Sequence, residues 1–134
     1  MLSNVIVNLL NGTSGGLGLA TGTNLFAEQA RGDQHVRVGV TTANGDEYIS
    51  ASRKSNVNIL VTGWNINDGY VLASKIASLL LGMEGSTFTY NNGSQVETYN
   101  IAGMTVRTWP TSFTLVDKVV FTTNIEFFYI QTAV

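Results

Sequence analysis

One helical period set among strand periods constrains this chain most. In NINDGYVLASKIASLLLGMEG, residues 65–85, Leu72, Ile76, Leu79, Leu80 and Met83 recur at the three-and-four spacing that lines one side of a helix. Ala73 and Ala77 beside them permit close approach to whatever lies beneath. Asn67 or Asp68 can cap the start by accepting a bond from an orphan backbone N–H. Gly82 or Gly85 can take the left-handed conformation that ends it. The spacing predicts a helix from Asp68 to Leu81, with Lys75 the only charge projecting from its middle. A helix with one apolar stripe has to lie on something, and its neighbours read as strands.

HVRVGVT alternates Val36, Val38 and Val40 against His35, Arg37 and Thr41, and NVNILVTGW alternates Val57, Ile59 and Val61 against Asn58, Leu60, Thr62 and Trp64. NLFAEQ reads as a short strand. TANGDEYISASRKSN, residues 42–56, is polar and reads either as a long loop or as a hairpin tip around Asn44-Gly45. STFTYNNGSQVETYN reads as a hairpin around Asn92-Gly93, a pair favoured where two successive residues need positive φ. IAGMTVRTW continues as strand, Pro110 is expected to break it, and FTLVDKVVFTTNIEFFYIQ closes the chain as one long strand. At the other end, Leu2, Val5, Ile6, Leu9 and Leu10 share a helical face, and GTSGGLGLATGT holds too many glycines for regular structure. The prediction is one α+β domain over residues 1–134: an N-terminal helix (1–11), a Gly-rich loop (12–23) and a core (24–134). The domain as a whole is expected to be α+β, a largely antiparallel mixed sheet with two helices packed on it.

Only 12% of the residues are charged, about half the usual share, while 16 Thr and 13 Asn supply much of the polarity. With mean hydropathy +0.15, such a chain leans towards burying surface against a partner. The net charge of −2 and scattered cations, of which only Arg53 and Lys54 adjoin, argue against a nucleic-acid binder. MLSNVIVNLL lacks the basic start of a secretory leader, and no apolar run nears the ~20 residues that span a bilayer, so a soluble, intracellularly made protein is expected.

Chemistry is hard to place. Gly12-Thr13-Ser14-Gly15-Gly16 matches the G-x-S-x-G nucleophile elbow, but that motif needs a strand before it and a helix after it. As a phosphate loop the same stretch lacks its Lys-Ser/Thr ending. His35 is the only histidine and cysteine is absent, which rules out a multi-histidine metal site and any thiolate. Asp33, Asp46 and Glu47 fall short of the six to eight oxygens calcium takes. Asn11-Gly12-Thr13 and Asn92-Gly93-Ser94 match the glycosylation sequon but read as turns. Trp64 and Trp109 are either core residues or anchors of a subunit contact. The expectation is no enzyme, no cofactor and no metal.

The order of elements resembles the tail terminator proteins of long-tailed bacteriophages, including a group known as phage minor capsid proteins. There an N-terminal helix and variable loop lead to a strand opening on a Leu-Phe pair, as in Asn24-Leu25-Phe26-Ala27-Glu28. Strands of the HVRVGVT and NVNILVTGW kind follow, then a helix beginning near an acid and a tyrosine, here Asp68 and Tyr70. A short strand pair, a Pro-containing region and a closing strand of the type FTTNIEFFYI complete the likeness, over residues 24–131. The Gly-rich residues 12–22 and the scarcity of charge depart from the pattern. The resemblance implies a virion protein at the tail–neck junction: a hexameric ring that caps the finished tail tube, stops its polymerisation and meets the neck. A neck head-completion or stopper ring is the alternative, and a tail tube protein a further one. Partners would be copies of the chain, the tube protein and the neck protein, with no membrane and no specific nucleic-acid sequence.

Five residues are candidates for the contacts of such a ring. Val119, Phe121, Ile125, Phe127 and Tyr129 place one face of the final strand on the core, yet the opposite face turns from Thr122, Asn124 and Glu126 to apolar Phe128 and Ile130. Either a neighbouring subunit or the N-terminal helix covers that end. Tyr48, Arg53 and Lys54, in the polar segment 42–56, are the other three candidates, as part of a partner-facing extension.

Overall fold

The computed structural model describes residues 2–12, 17–28, 37–49, 52–115 and 118–133, with side chains described except at 43–49, 52, 115 and 133. In chain order the elements are α1 (Leu2–Leu10), β1 (Leu25–Ala27), β2 (Arg37–Ile49), β3 (Ser52–Thr62), α2 (Ile66–Leu81), β4 (Thr87–Asn91), β5 (Val96–Leu115) and β6 (Lys118–Ala133). The six strands form one sheet in the order β1-β2-β3-β6-β5-β4. Only β1 and β2 pair parallel; every other pair is antiparallel. This is the α+β architecture that the alternating periods require.

Two long hairpins, β2–β3 and β5–β6, make up most of the sheet, and they join through β3 and β6 from Arg53↔Tyr129 to Thr62↔Val120. Val38, Val40, Val57, Ile59, Val61, Phe121, Ile125, Phe127 and Tyr129 are buried on one face, hereafter the inner face. Both helices lie there: α1 touches β1, β2 and β4, and α2 touches β3, β5 and β6. The α2 stripe is as the spacing predicts, with Leu72, Ile76, Leu80 and Met83 buried and Leu79 half-buried against the same core.

Several details differ from the sequence reading. Of the two readings of segment 42–56 the hairpin holds, but Asn44-Gly45 is not its tip: β2 runs on to Ile49, with a register shift between Ala43 and Asp46, and β3 begins at Ser52. Its polar residues stay in strand because β6 holds β3 from the other side, as far as Arg53. Pro110 does not break β5. Beyond Asn100, β4 no longer pairs with β5, so a missing N–H on that edge costs no ladder bond. Pro110 falls inside a one-residue bulge between Thr108 and Thr111. The stretch Phe113-Thr114-Leu115 therefore ends β5, and the closing strand is β6 alone.

The helix ends at Leu81 and the β4–β5 hairpin turns at Asn92-Gly93 as expected, while the start of the helix and the details of both turns differ. Asn65 caps α2, its Oδ1 accepting from the Asp68 N–H at 2.8 Å while its Nδ2 donates to Asp68 Oδ2 at 2.7 Å. That reciprocal pair starts the helix two residues before Asp68. Gly82 ends it in a right-handed conformation, and the left-handed glycine is Gly85 (φ 79°), whose N–H donates to the Ile101 carbonyl. Between β4 and β5 only Gly93 has positive φ. The Asn92 carboxamide oxygen closes this four-residue loop by accepting from the N–H groups of Ser94 and Gln95.

Candidate assembly surfaces

Arg53 and Lys54 adjoin in sequence, but on a strand they point to opposite faces. On the inner face the Arg53 guanidinium donates to Gln131 Oε1, and Gln131 Nε2 donates to Glu97 Oε1 at 2.7 Å. The Tyr99 hydroxyl donates to the same oxygen at 3.2 Å, and the Tyr99 and Tyr129 rings lie 5.6 Å apart. This network ties β3, β6 and β5 together beneath the core. On the outer face, Lys54 Nζ and Arg107 Nη1 lie 3.6 and 3.9 Å from Glu126 Oε2. Glu126 is buried among its neighbours on that face, where the two cations offset the cost of desolvating its charge. The structure thus does not bring Arg53 and Lys54 into one patch, and each engages its own chain. Tyr48 pairs with Arg53 through the backbone, and its side chain lies outside the described residues.

Phe128 and Ile130 sit on the outer face, Phe128 half-buried across from Gly103 and Ile130 40% exposed. The N-terminal helix does not cover them, because α1 packs on the inner face. Around them the outer face is a carpet of hydroxyls and amides: Thr41, Asn58, Thr105, Thr108, Thr111, Thr122 and Asn124, with Asn124 Nδ2 donating to Asn58 Oδ1 at 2.6 Å. No helix among the described residues packs on it.

Two other surfaces carry large exposed apolar side chains. On the outward side of α2, Ile66 (59%), Tyr70 (49%) and Val71 (48%) are exposed. With Leu17, Leu79 and Lys75, the latter two residues line a groove of about 570 Å³. A second cleft of about 230 Å³ shares Leu17, Val71 and Lys75 and adds Trp64 and Asp68 at the start of the helix. The second surface is the free end of β5. There residues 107–114 are exposed except for Pro110, and Trp109 (45%) and Phe113 (44%) stand out. Trp64 is half-buried against the core, so the two tryptophans have different fates. The missed signal was legible on α2: Ile66, Tyr70 and Val71 fall off its buried stripe, where polar residues belong.

Ser14, Asp33 and His35 lie outside the described residues, as do the side chains of Asp46 and Glu47. Among the described residues no three His, Cys, Asp or Glu side chains gather where they could hold a metal. What the described residues offer is surfaces for contact. The chain matches no protein-family model and no curated protein.

Proposed function

We propose that this chain is the subunit of a phage tail terminator, a ring of six copies that caps the tail tube, ends its polymerisation and presents a surface to the neck. The observation that carries this reading is the exposure of large apolar side chains on separate sides of one small domain: Ile66, Tyr70 and Val71 on α2, Trp109 and Phe113 on β5. A ring is built by a heterologous contact, in which one surface of each copy meets a different surface of the next. A domain made for that purpose exposes two unlike apolar surfaces. The element order, helix, three strands, helix, three strands, follows the likeness drawn from residues 24–131. An open six-stranded sheet favours a terminator over a stopper, in which a β-barrel is more usual. The hydroxyl- and amide-rich outer face, with Phe128 and Ile130 at one end, is then available to the tube or the neck. No reaction is part of this role.

The test is electron microscopy of tail tubes polymerised with and without the purified protein. Tubes of limited length, each ending in a ring of this chain, are expected. Long tubes made by this chain alone would assign it to the tube instead, and tubes whose length and ends it leaves unchanged would refute the capping role.

A further inference from the structure

Glu28 is the only residue other than glycine with a positive φ (64°) among the described residues. An L side chain resists that conformation, which persists only where surrounding contacts hold it. Here those contacts lie at the end of the one parallel ladder. β1 pairs with β2 from Leu25↔Val38 to Ala27↔Val40; the Val38 N–H donates to the Asn24 carbonyl and the Glu28 N–H to the Val40 carbonyl. One step further, the same even spacing would bring the Thr42 N–H to the Glu28 backbone carbonyl. It meets the Glu28 side chain instead: Oε1 accepts from the Thr42 N–H at 3.1 Å and from the Thr42 hydroxyl at 2.8 Å. The carboxylate stands in for its own main chain, since β1 ends at Ala27 and the left-handed turn follows at once. We propose that Glu28 is an edge guard, its carboxylate closing the β2 edge at Thr42 against a strand from a second copy.

The edge to be guarded is long. β2 continues to Ile49, and among the described residues no strand pairs with it on that side beyond Val40. A free row of backbone N–H and C=O groups is a template for another chain. Just past Thr42, the register shift between Ala43 and Asp46 breaks that row, so carboxylate and bulge adjoin. The opposite edge of the sheet is interrupted too. From Ala102 onwards β5 has no second neighbour among the described residues, and shifts at Val106/Thr108 and Thr108/Thr111, with Pro110 inside the latter, disrupt it. With 12% of its residues charged, the chain has few charged side chains to keep other strands off its edges. Glycine or asparagine would adopt the turn at position 28 more readily. A glutamate there is accounted for by its reach to Thr42. The guard does not depend on the ring reading; it directs copies to meet through their faces rather than their edges.

Glu28→Asp, Glu28→Gly and Glu28→Gln, compared with wild type, separate reach, charge and backbone. Asp and Gly both suit the left-handed turn, but Asp is a methylene too short for Thr42 and Gly offers no oxygen. Gln keeps the length and the oxygen and loses the charge. Hydrogen exchange followed by NMR reads the Thr42 amide; thioflavin T fluorescence and the infrared band of intermolecular strands read edge pairing. The Thr42 amide should be protected in wild type and Glu28→Gln and lose that protection in Glu28→Asp and Glu28→Gly. Only those last two should gain strand-paired aggregates as concentration rises, with melting temperatures near wild type at low concentration. Lost protection without strand-paired association would make Glu28 a structural tie alone and overturn the guard. Unchanged protection in Glu28→Asp would overturn it as well, and so would association of Glu28→Gln without Glu28→Asp, which would put the charge in control. Should Glu28→Gly not fold, Glu28→Asp decides by the same readings.

Discussion

The two helices lie on the same face of the same sheet, yet they end up differently. Along α1, Leu2, Ser3, Val5, Ile6, Val7 and Leu10 are buried, a span of ~200° of arc at 3.6 residues per turn. The sheet edges β1–β2 and β4 and the segment carrying Leu17 and Leu19 share in enclosing the core to which it belongs. Along α2, Gly69, Leu72, Ala73, Ile76, Ala77 and Leu80 are buried, and the outward side leaves Ile66, Tyr70, Val71 and Leu81 exposed. A surface helix ordinarily turns polar residues to water. The apolar surface of α1 is consumed by its own chain, while that of α2 exceeds what the fold uses. Under the ring reading proposed above, that excess is what assembly would use.

The sharpest way to break this contrast is to truncate the buried side of each helix. Ile6→Ala and Ile76→Ala, at fully buried positions, should each cost ~2–5 kcal/mol. That is a large part of the ~5–15 kcal/mol of a typical domain, and chemical denaturation would read it. Equal stability of Ile76→Ala and wild type would show that α2 does not hold the sheet. Next in size is Gly69→Ala. Alanine is the better helix former, but its Cβ would press on the buried Phe121 ring, so a net loss of ~1–3 kcal/mol is expected. A gain in stability would show that the Phe121 ring yields freely.

Asn65→Ala removes the cap that accepts from the Asp68 N–H and should cost ~0.5–2 kcal/mol, seen as a lower melting temperature. Smallest of all is Lys75→Ala on the outward side, expected within ~0.5 kcal/mol of wild type. A loss there comparable to that at Ile76 would place the outward side in the core and erase the contrast.

What could be read from the sequence follows the same physical line. The stripe at Leu72, Ile76 and Leu80 and the valine alternation of β2 and β3 were legible because burial on one side imposes a period. The extent of the β2–β3 hairpin beyond Ala43 was not, since its residues are mostly polar and its order comes from pairing across to β6. Pro110 misled because the rule against proline in strands concerns paired edges, and no local signal in the sequence says which edge β4 leaves free. Of the candidate contact residues, Ile130 is the one that stands 40% exposed, while Arg53 and Lys54 are engaged within the chain. The α2 groove leaves a fainter mark, because helical spacing picks out the buried stripe and Ile66, Tyr70 and Val71 only fall outside it.

Light scattering of wild type beside Val71→Asp tests most directly whether the outward side of α2 serves assembly. Val71 is 48% exposed, so the substitution should leave the fold intact while placing a charge in the groove. The expected result is a multi-subunit mass for wild type, alone or on tail tubes, and a folded monomer for Val71→Asp with nearly the same melting temperature. The same mass for both proteins wherever wild type assembles, or wild type that stays monomeric even with tubes present, would contradict it.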